Sequence, residues 1–566
     1  MAAAMTRPPA RPSRTPFDRA SAMGRMADES FDLLVIGGGI TGAGVALDAA
    51  ARGLRTALVE AHDFAYGTSS RSSKLIHGGL RYLQQKDFRL VYEALAERQH
   101  LLDNAPHLVR PLPFMIPIFG KDGAVNKAVA KTYSTALWLY DLTGGLRIGK
   151  RHKRMAVEEA YEHFPALRRD RLAAAFLYWD AQADDARVTL TVARTAVLAY
   201  GAVALNYAPV TELMKAGDQV RGARLADGTE VRAEVVVNAG GVWSDRVRNL
   251  DEGAAAAGHL RPAKGIHLTV PRSRLPIDMA AVLPVPKDRR SIFVVPWGDF
   301  VYLGTTDTDY HGSLDDPQCT PEDVAYIIGA VNASVTDPIN ERDVVGTWAG
   351  LRPLVSDATS ERTADLSRRH EVTRSSSGVI TVTGGKFTTY RRMAADTVDL
   401  VVRRLGRGSH RSPTRHLALW GAEGTEALRE EGAAGRLGVK EPVLAHLAGR
   451  YGGEARTVLA MIEADPELDR PLVPGLPYLR AEAVYAARYE MAHTLDDVLS
   501  RRTRALLLAR DVSAAAAADV ARLIAPELGW SPERADREAG AYVAAAAHSR
   551  EAAGLPETAP PVPSET

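Results

Sequence analysis

The sequence has few cysteines, little net charge and no long apolar run, and each deficit excludes a class of protein. Cys319 is the one cysteine among 566 residues, so no intrachain disulfide, C-x-x-C motif or thiolate metal site can form. A net charge of +1 gives no global field for nucleic acid. The longest uncharged run, 195–211, contains glycine, asparagine and proline and predicts no transmembrane helix. We therefore predict a globular protein without a metal or a nucleic-acid partner, with any membrane contact peripheral.

The chain length predicts two or three domains, with both ends outside them. Residues 1–30 are rich in arginine, proline, alanine and serine and lack the apolar core of a signal peptide. We predict a disordered tail there; a lipid contact or a transit-peptide role for its arginines is the alternative. Residues 549–566 are also predicted to be disordered.

Residues 31–60 contain a dinucleotide-binding fingerprint. The run FDLLVI predicts a strand, and Gly37, Gly39 and Gly42 then fit G-x-G-x-x-G at the start of a predicted helix. These glycines permit a tight turn, a close approach of the backbone to a pyrophosphate, and close packing of helix on strand. A second predicted strand ends in Glu60, whose carboxylate suits ribose hydroxyls and repels a 2′-phosphate. FAD or NAD is favoured over NADP, and an ordinary glycine-rich βαβ turn is the alternative.

A loop rich in small hydroxyl residues follows this βαβ unit, over residues 63–83. Its hydroxyl residues are Thr68, Ser69, Ser70, Ser72 and Ser73. Its later polar residues and glycines include Lys74, His77, Gly78, Gly79, Arg81 and Tyr82. A surface loop is the simpler interpretation of the composition alone. The position after the first βαβ unit instead predicts donors for a cofactor's phosphates and ring edges.

Seven stretches, in chain order, extend this pattern. They are TSSRSSKLIHGGLRYL (68–83), DFRLVYEALAERQHLLDNAPHLV (87–109), VNAGGVWSD (237–245), KGIHL (264–268), VVPWGDFVYLGTTDTDY (294–310), GLRPL (350–354) and TGGKFTTYRRMA (383–394). Together they resemble the FAD-dependent, membrane-associated glycerol-3-phosphate dehydrogenase family over residues 31–405, with a family-like helical segment to about residue 540. Ile266 and Phe387 depart from the residues usual in the family, serine and leucine.

The resemblance implies an α/β fold with a Rossmann-like FAD-binding domain of the glutathione-reductase/D-amino-acid-oxidase type, an antiparallel β substrate domain and a helical C-terminal domain. We assign the FAD-binding domain to residues 31–110, 180–262 and 346–405. The substrate domain then covers residues 111–179 and 263–345. Residues 410–548 have helical periodicity and no evident chemistry, so we predict a helical cap there.

The resemblance also implies oxidation of sn-glycerol 3-phosphate to dihydroxyacetone phosphate, with hydride transfer to FAD and electrons passed to a membrane quinone. The residues predicted to bind FAD are Gly37, Gly39, Gly42, Glu60, Thr68, Ser69, Ser70, Ser72, Ser73, His77, Gly78, Val210, Ala239, Gly240, Gly385, Lys386, Thr388 and Thr389. Those assigned to the substrate are Arg81, Tyr82, His267, Arg352 and Lys386, with His267, Arg352 and Lys386 catalytic. His267 is the preferred base because a neutral imidazole accepts protons near physiological pH, and His77 is its rival. Without the resemblance, these cations would be interpreted as solvated surface charges.

Between residues 127 and 154, lysines and arginines alternate with aromatic residues such as Trp138 and Tyr140. This segment is the best candidate for contact with an anionic membrane, and a solvated face with core aromatics is the alternative. We expect a cytoplasmic protein held peripherally at the inner face of the cytoplasmic membrane, and a homodimer is compatible with the family. The rival functions are a glycerol-3-phosphate oxidase that uses O2, an amine or amino-acid oxidase, and a redox-inactive FAD-binding interaction protein.

Overall fold

A computed structural model of the chain describes residues 17–79, 87–120, 127–253, 259–286, 288, 290–355, 370–407 and 411–558. The strands are β1 Ser30–Ile36, β2 Thr56–Val59, β3 Leu75–Ile76, β4 Val109–Phe119, β5 Lys153–Met155, β6 Leu172–Ala183, β7 Val203–Leu205, β8 Val210–Ala216, β9 Gln219–Leu225, β10 Glu230–Asn238, β11 Leu260–Pro271, β12 Ala280–Pro284, β13 Ser291–Trp297, β14 Phe300–Gly304, β15 Thr308–Asp309, β16 Gly346–Val355, β17 His370–Arg374 and β18 Ile380–Gly384.

The α-helices are Arg19–Asp28, Ile40–Ala51, Phe88–Asn104, Lys127–Leu142, Val157–His163, Asp185–Leu198, Ser244–Glu252, Pro321–Asn332, Tyr390–Arg404, Thr425–Arg429, Ala433–Arg436, Glu441–Tyr451, Ala455–Ala464, Arg480–Tyr489, Ala505–Leu508, Arg510–Leu528 and Pro532–Ala552. Single 3-10 turns lie at Thr68–Ser70, Gly145–Ile148, Gly241–Trp243, Glu341–Asp343, Phe387–Thr389, Thr414–His416, Gly452–Glu454 and Pro466–Asp469. A π-helix covers Asp497–Arg502. None of these helices has the length and apolar composition needed to cross a membrane.

The first sheet is built around a parallel core with the order β17-β18-β10-β1-β2-β7. Strand β1 is parallel to β2 and to β10, and six of its seven residues are buried, as expected for a strand covered on both faces. The helix Ile40–Ala51 packs on one side against helices Asp185–Leu198 and Tyr390–Arg404. Ten of its twelve residues are buried, and its many glycines and alanines allow this close packing because their side chains are small or absent.

The second sheet has the order β15-β11-β14-β13-β12-β4-β6-β3 and is antiparallel except where β4 meets β12. Strand β16 pairs antiparallel with β11 along ten residues. The sequence analysis assigns residues 346–355 to the FAD-binding domain, whereas the structure places them in this second sheet. The predicted antiparallel sheet over residues 262–345 is otherwise present, joined by strands from residues 75–183.

The two predicted disordered tails are wrong over residues 17–30 and 549–558, and the rest of each tail lies outside the described residues. Helix Arg19–Asp28 is capped by Asp18, and Met26 on its inner face is fully buried. At the other end, helix Pro532–Ala552 extends past residue 549, Leu555 is buried, and the Thr558 hydroxyl donates to Asp511 at 2.7 Å. Composition indicated disorder in both places because it does not report the distant surfaces on which these segments pack.

Candidate active site

One cavity of about 910 Å³ is lined by residues of both sheets. Its size is at the upper end of ordinary ligand pockets, as an extended cofactor plus a small substrate requires. The predicted site residues that line it are Gly37, Gly39, Glu60, Thr68, Ser69, Ser72, Ser73, His77, Val210, Ala239, Gly240, His267, Arg352, Gly385, Lys386 and Thr388. The fold therefore brings most of the predicted site together from six separate parts of the chain.

The glycine turn after β1, called the glycine cradle below, packs so closely that side chains at two of its glycines would collide with the backbone. Gly37 has a φ of +112°, and a Cβ there would lie 2.5 Å from the Ala239 carbonyl oxygen. A Cβ on Gly42 would lie 1.8 Å from the Gly37 carbonyl oxygen. The helix that begins at Ile40 has its N-terminus at the cavity, and such ends favour anions. The cradle fits the pyrophosphate of a dinucleotide.

Glu60 is held at the end of β2 by two backbone donors. Its Oε2 accepts from the Gly38 N–H at 2.6 Å and its Oε1 from the His62 N–H at 2.9 Å. Burial raises the pKa of the Glu60 carboxyl. The carboxylate is thereby fixed at the wall of the cavity, as a ribose-binding group needs to be.

The segment of residues 68–74, called the serine loop below, is held by hydrogen bonds along most of its length. The Ser69 hydroxyl accepts from the Ile40 N–H at 2.9 Å, next to the glycine cradle. The Ser72 N–H and hydroxyl both donate to Asp185, at 2.8 and 2.7 Å. Lys74 is buried and donates to Asp185 and to the Ser70 carbonyl, each at 3.2 Å. Burial, followed by the charge of a nearby arginine, lowers the pKa of Lys74 to about 8.

His267 lies on β11 with its imidazole held on two sides. Its Nε2 is 2.9 Å from the Ser73 hydroxyl oxygen, and its ring stacks on the Trp348 indole at 4.7 Å and 11°. Burial lowers the pKa of His267 well below its ordinary value, and the charges of Lys74 and Arg352 lower it further. The ring is therefore neutral at physiological pH. Its Nδ1 is buried and has no hydrogen-bond partner among the described residues.

Arg352 projects from β16 beside β11 into the same cavity. Its guanidinium donates to Asp307 at 3.1 Å, to the Thr305 hydroxyl at 3.2 Å and to the Thr306 carbonyl at 3.1 Å. Gly265 on β11, two residues along from the register partner of Arg352, leaves the room for the guanidinium, because a Cβ there would lie 2.6 Å from Arg352 Nη2. A planar cation held in this way suits a phosphate group.

Lys386 follows two glycines with left-handed backbone, Gly384 at φ +74° and Gly385 at φ +80°. It precedes the short turn that leads into helix Tyr390–Arg404. In that turn the Thr388 hydroxyl accepts from the His77 N–H at 3.2 Å, which joins the rival base to the same wall. His77 and His267 thus both line the cavity, and the geometry alone leaves both available.

Four predicted cofactor contacts do not line the cavity, and two predicted substrate contacts lie outside the described residues. The first four are Gly42, Ser70, Gly78 and Thr389, and the other two are Arg81 and Tyr82. Gly78 donates instead to Tyr140 and Asp180, and the Ser70 carbonyl accepts from Lys74. Gly78 and Ser70 thus use these backbone groups to hold neighbouring segments together.

The sequence analysis missed several residues that shape the site. Arg71 lines the cavity with its guanidinium 5.5 Å from the Tyr66 ring centroid. Lys74 Nζ lies 4.5 Å from the centroid of Trp348, on which His267 also stacks. Lys74 was visible in the quoted serine-rich motif, and Trp348 stands two residues before GLRPL. A lysine or a tryptophan in a sequence does not indicate a packing role until its neighbours in the fold are known.

A dinucleotide cradle that shares one cavity with a neutral histidine and a fixed guanidinium is typical of a dinucleotide-dependent oxidoreductase. The family model described as FAD dependent oxidoreductase matches residues 32–400, and the one described as the C-terminal domain of alpha-glycerophosphate oxidase matches residues 412–535. The chain belongs to the FAD-dependent glycerol-3-phosphate dehydrogenase family, and the predicted fold class and FAD cofactor are confirmed.

Named relatives support this assignment over most of the chain. The chain is 42% identical to glycerol-3-phosphate dehydrogenase 2 of Mycobacterium tuberculosis over 538 residues, which is 94% of this chain and 90% of the relative. It is 40% identical to the mitochondrial glycerol-3-phosphate dehydrogenase of Homo sapiens over 524 residues, 88% of this chain and 71% of the relative. The crystal structure of glycerol-3-phosphate dehydrogenase from Bacillus halodurans with FAD superimposes with a TM-score of 0.76 at 33% identity, covering 94% of this chain and 97% of that one.

Proposed function

We propose that this chain oxidises sn-glycerol 3-phosphate to dihydroxyacetone phosphate and passes the electrons to a membrane quinone. The observation that carries the proposal is the single cavity in which the FAD cradle, the neutral His267 and the Arg352 guanidinium lie together. The relatives named glycerol-3-phosphate dehydrogenase support the choice of substrate.

Bound FAD supplies the acceptor for the hydride that leaves C2 of the alcohol. His267 takes the hydroxyl proton, with its ring held in place by the contact of Nε2 with the Ser73 hydroxyl. Loss of that proton and the hydride turns the alcohol carbon into a carbonyl. Arg352 binds the phosphate, whose negative charge offsets the positive charge that His267 gains. Lys386 adds a second cation beside the helix N-terminus on the same wall.

The test of the reaction is an anaerobic titration of the purified yellow protein with glycerol 3-phosphate. We expect the flavin absorbance to be lost with glycerol 3-phosphate and to persist with glycine or sarcosine. Adding a quinone analogue should then restore the colour faster than adding air. A flavin that stays yellow with glycerol 3-phosphate would refute the substrate, and faster recovery in air would favour the oxidase that the C-terminal family model's description names.

The phosphate role of Arg352 is tested by Arg352→Ala. We expect KM for glycerol 3-phosphate to rise about 100-fold, since one or two charge-assisted hydrogen bonds are lost. Arg261→Ala is the matched control, because Arg261 lies on neighbouring β11, pairs with Asp309 and does not line the cavity. An unchanged KM in Arg352→Ala would show that another group binds the phosphate.

The base is tested by comparing His267→Asn with His77→Asn. We expect His267→Asn to slow flavin reduction at saturating substrate by a factor of about 100 to 10,000, the usual contribution of a general base. His77→Asn should slow it less, since His77 is assigned to the cofactor. The reverse order would move the base to His77.

A surface near the cavity supports peripheral membrane contact. Helices Phe88–Asn104 and Lys127–Leu142 and the turn Gly145–Ile148 pack together and leave six large apolar side chains exposed, among them Tyr92 at 55% and Leu142 at 70%. The Arg147 guanidinium lies over Tyr92 at 4.7 Å, and Arg151 lies over Trp138 at 5.7 Å. Apolar and aromatic groups mixed with cations suit the interface of an anionic bilayer.

We propose that this surface rests on the inner face of the cytoplasmic membrane and brings the cavity close to the quinone. Co-sedimentation with phosphatidylglycerol vesicles, compared with phosphatidylcholine vesicles, tests it. Leu142→Glu should weaken binding to the anionic vesicles. Val543→Glu is the control, because Val543 is an exposed apolar residue on helix Pro532–Ala552, outside this surface. Equal losses in the two variants would contradict the proposed surface.

A further inference from the structure

Arg504 connects the C-terminal helical domain to the serine loop of the active site. Its guanidinium is almost fully buried, and its Nη2 donates to the Ser70 carbonyl at 2.6 Å and to Asp185 Oδ1 at 2.6 Å. Its Nη1 donates to the Ser500 carbonyl at 3.0 Å, which ties the same side chain to the π-helix. One guanidinium therefore joins segments that are 434 residues apart in sequence.

The two acceptors of Arg504 are the groups that shape the serine loop. Asp185 also accepts from the Ser72 N–H at 2.8 Å, from the Ser72 hydroxyl at 2.7 Å and from Lys74 Nζ at 3.2 Å. The Ser70 carbonyl also accepts from Lys74 Nζ. A buried carboxylate holds this geometry only while its cations neutralise it, and Arg504 is one of two that do so.

The serine loop in turn holds His267. The Trp348 indole N–H donates to the Ser72 carbonyl at 3.1 Å, and the His267 ring stacks on that indole. The Ser73 hydroxyl meets His267 Nε2 at 2.9 Å. A shift of the loop would change both contacts at once, because they arise from adjacent residues.

We infer that Arg504 is a positioning residue for His267: through Ser70 and Asp185 it holds the serine loop, whose Ser73 and Trp348 contacts fix the imidazole ring. The inference rests on the proposed function for its consequence in turnover. Sequence patterns indicate the C-terminal helices only as a cap. A positioning role for Arg504 means that these helices also contribute to the chemistry of the flavin site. A merely structural Arg504 would stabilise the packing of the domains without affecting the rate per bound FAD.

The test compares Arg504→Met and Arg504→Lys with the control Arg510→Met. Arg510 is equally buried and pairs with Asp511 inside the C-terminal domain. We measure FAD content, KM and the rate of anaerobic flavin reduction at saturating glycerol 3-phosphate. Arg504→Met should reduce that rate per bound FAD about 10- to 100-fold with KM little changed, since displacement of a reacting group by about 1 Å costs up to about 100-fold. The rate of Arg504→Lys should lie between those of Arg504→Met and the wild type. Arg510→Met should retain the wild-type rate.

Two further measurements keep the inference falsifiable. Amide hydrogen exchange over residues 69–79 should accelerate in the Arg504 variants and not in Arg510→Met, whether or not the substrate is turned over. In the double variant Ser73→Ala/Arg504→Lys, the rate of flavin reduction should fall by less than the product of the two single fold-changes, since both residues act on His267 through one loop. A wild-type rate and exchange in Arg504→Met, or independent multiplication with Ser73→Ala, would overturn the inference. A wild-type flavin that glycerol 3-phosphate does not bleach would instead overturn the proposed function.

Discussion

Gly304 provides the sharpest test of whether the position of His267 controls the reaction. It stands opposite His267 where β14 pairs with β11. A Cβ at residue 304 would lie 2.2 Å from His267 Cδ2 and 2.8 Å from the Ile266 carbonyl oxygen. An ordinary contact of a Cβ atom begins at 3.4 Å, so in Gly304→Ala the imidazole has to move by about 1 Å. Because Ser73 and Trp348 hold the ring, the movement must break one of those contacts.

We expect Gly304→Ala to slow anaerobic flavin reduction about 100-fold, or about 2.7 kcal/mol of transition-state stabilisation. Stopped-flow absorbance at saturating glycerol 3-phosphate measures the rate, and the FAD content should stay at the wild-type level because Gly304 does not line the cavity. Gly329→Ala is the matched control, since a Cβ there meets nothing within 4 Å and the residue lies in a helix of the same domain. A wild-type rate in Gly304→Ala would refute the link between the place of His267 and catalysis.

Three further variants test other parts of the structure. Asp63→Asn removes the buried carboxylate that accepts two hydrogen bonds from Arg502, which should cost about 3–5 kcal/mol and lower the urea midpoint of the FAD-loaded protein; an unchanged midpoint would contradict this. Lys74→Met removes a cation that lowers the pKa of His267, so that pKa rises and the acid limb of kcat/KM moves to higher pH; a fixed limb would mean that the charge of Lys74 does not contribute to that pKa. Gly42→Ala places a methyl group against the Gly37 carbonyl oxygen, which must shift the turn of the glycine cradle and should weaken FAD binding about 10- to 100-fold by equilibrium titration; undiminished affinity would refute the cradle.

The first βαβ unit could be predicted closely because its signals are local. Alternating strand and helix patterns around the glycines predicted what became β1, helix Ile40–Ala51 and β2. Helix Arg19–Asp28 was missed for the opposite reason. Its composition resembles a tail, and its stability depends on burial of Met26 against the rest of the domain. The composition of residues 1–30 contains no information about the distant surface that buries Met26.

Site residues could be predicted where a side chain of suitable chemistry stands in a recognisable short motif. His267 and Arg352 stand in short motifs, and both line the cavity. Arg504 belongs to an arginine-rich run that resembles a solvated surface, although it is 1% exposed. Its acceptors become visible only when the fold brings Ser70 and Asp185 to it. Contacts between distant segments therefore could not be predicted from the sequence, whereas the place of His267 and Arg352 at one cavity could be.

The buried arginines of the C-terminal domain also set the order in which the site can mature during synthesis. Asp63 receives Arg501 and Arg502 from 438 and 439 residues further along the chain, and Ser70 receives Arg504 from a similar distance. A ribosome exposes Asp63 and the serine loop first, and their arginine partners emerge 434 to 439 residues later. The nascent FAD-binding domain consequently carries Asp63 without its two arginine partners until the C-terminal helices dock. The hydrogen bonds that hold Asp63 and the serine loop therefore form only after these distant helices have docked.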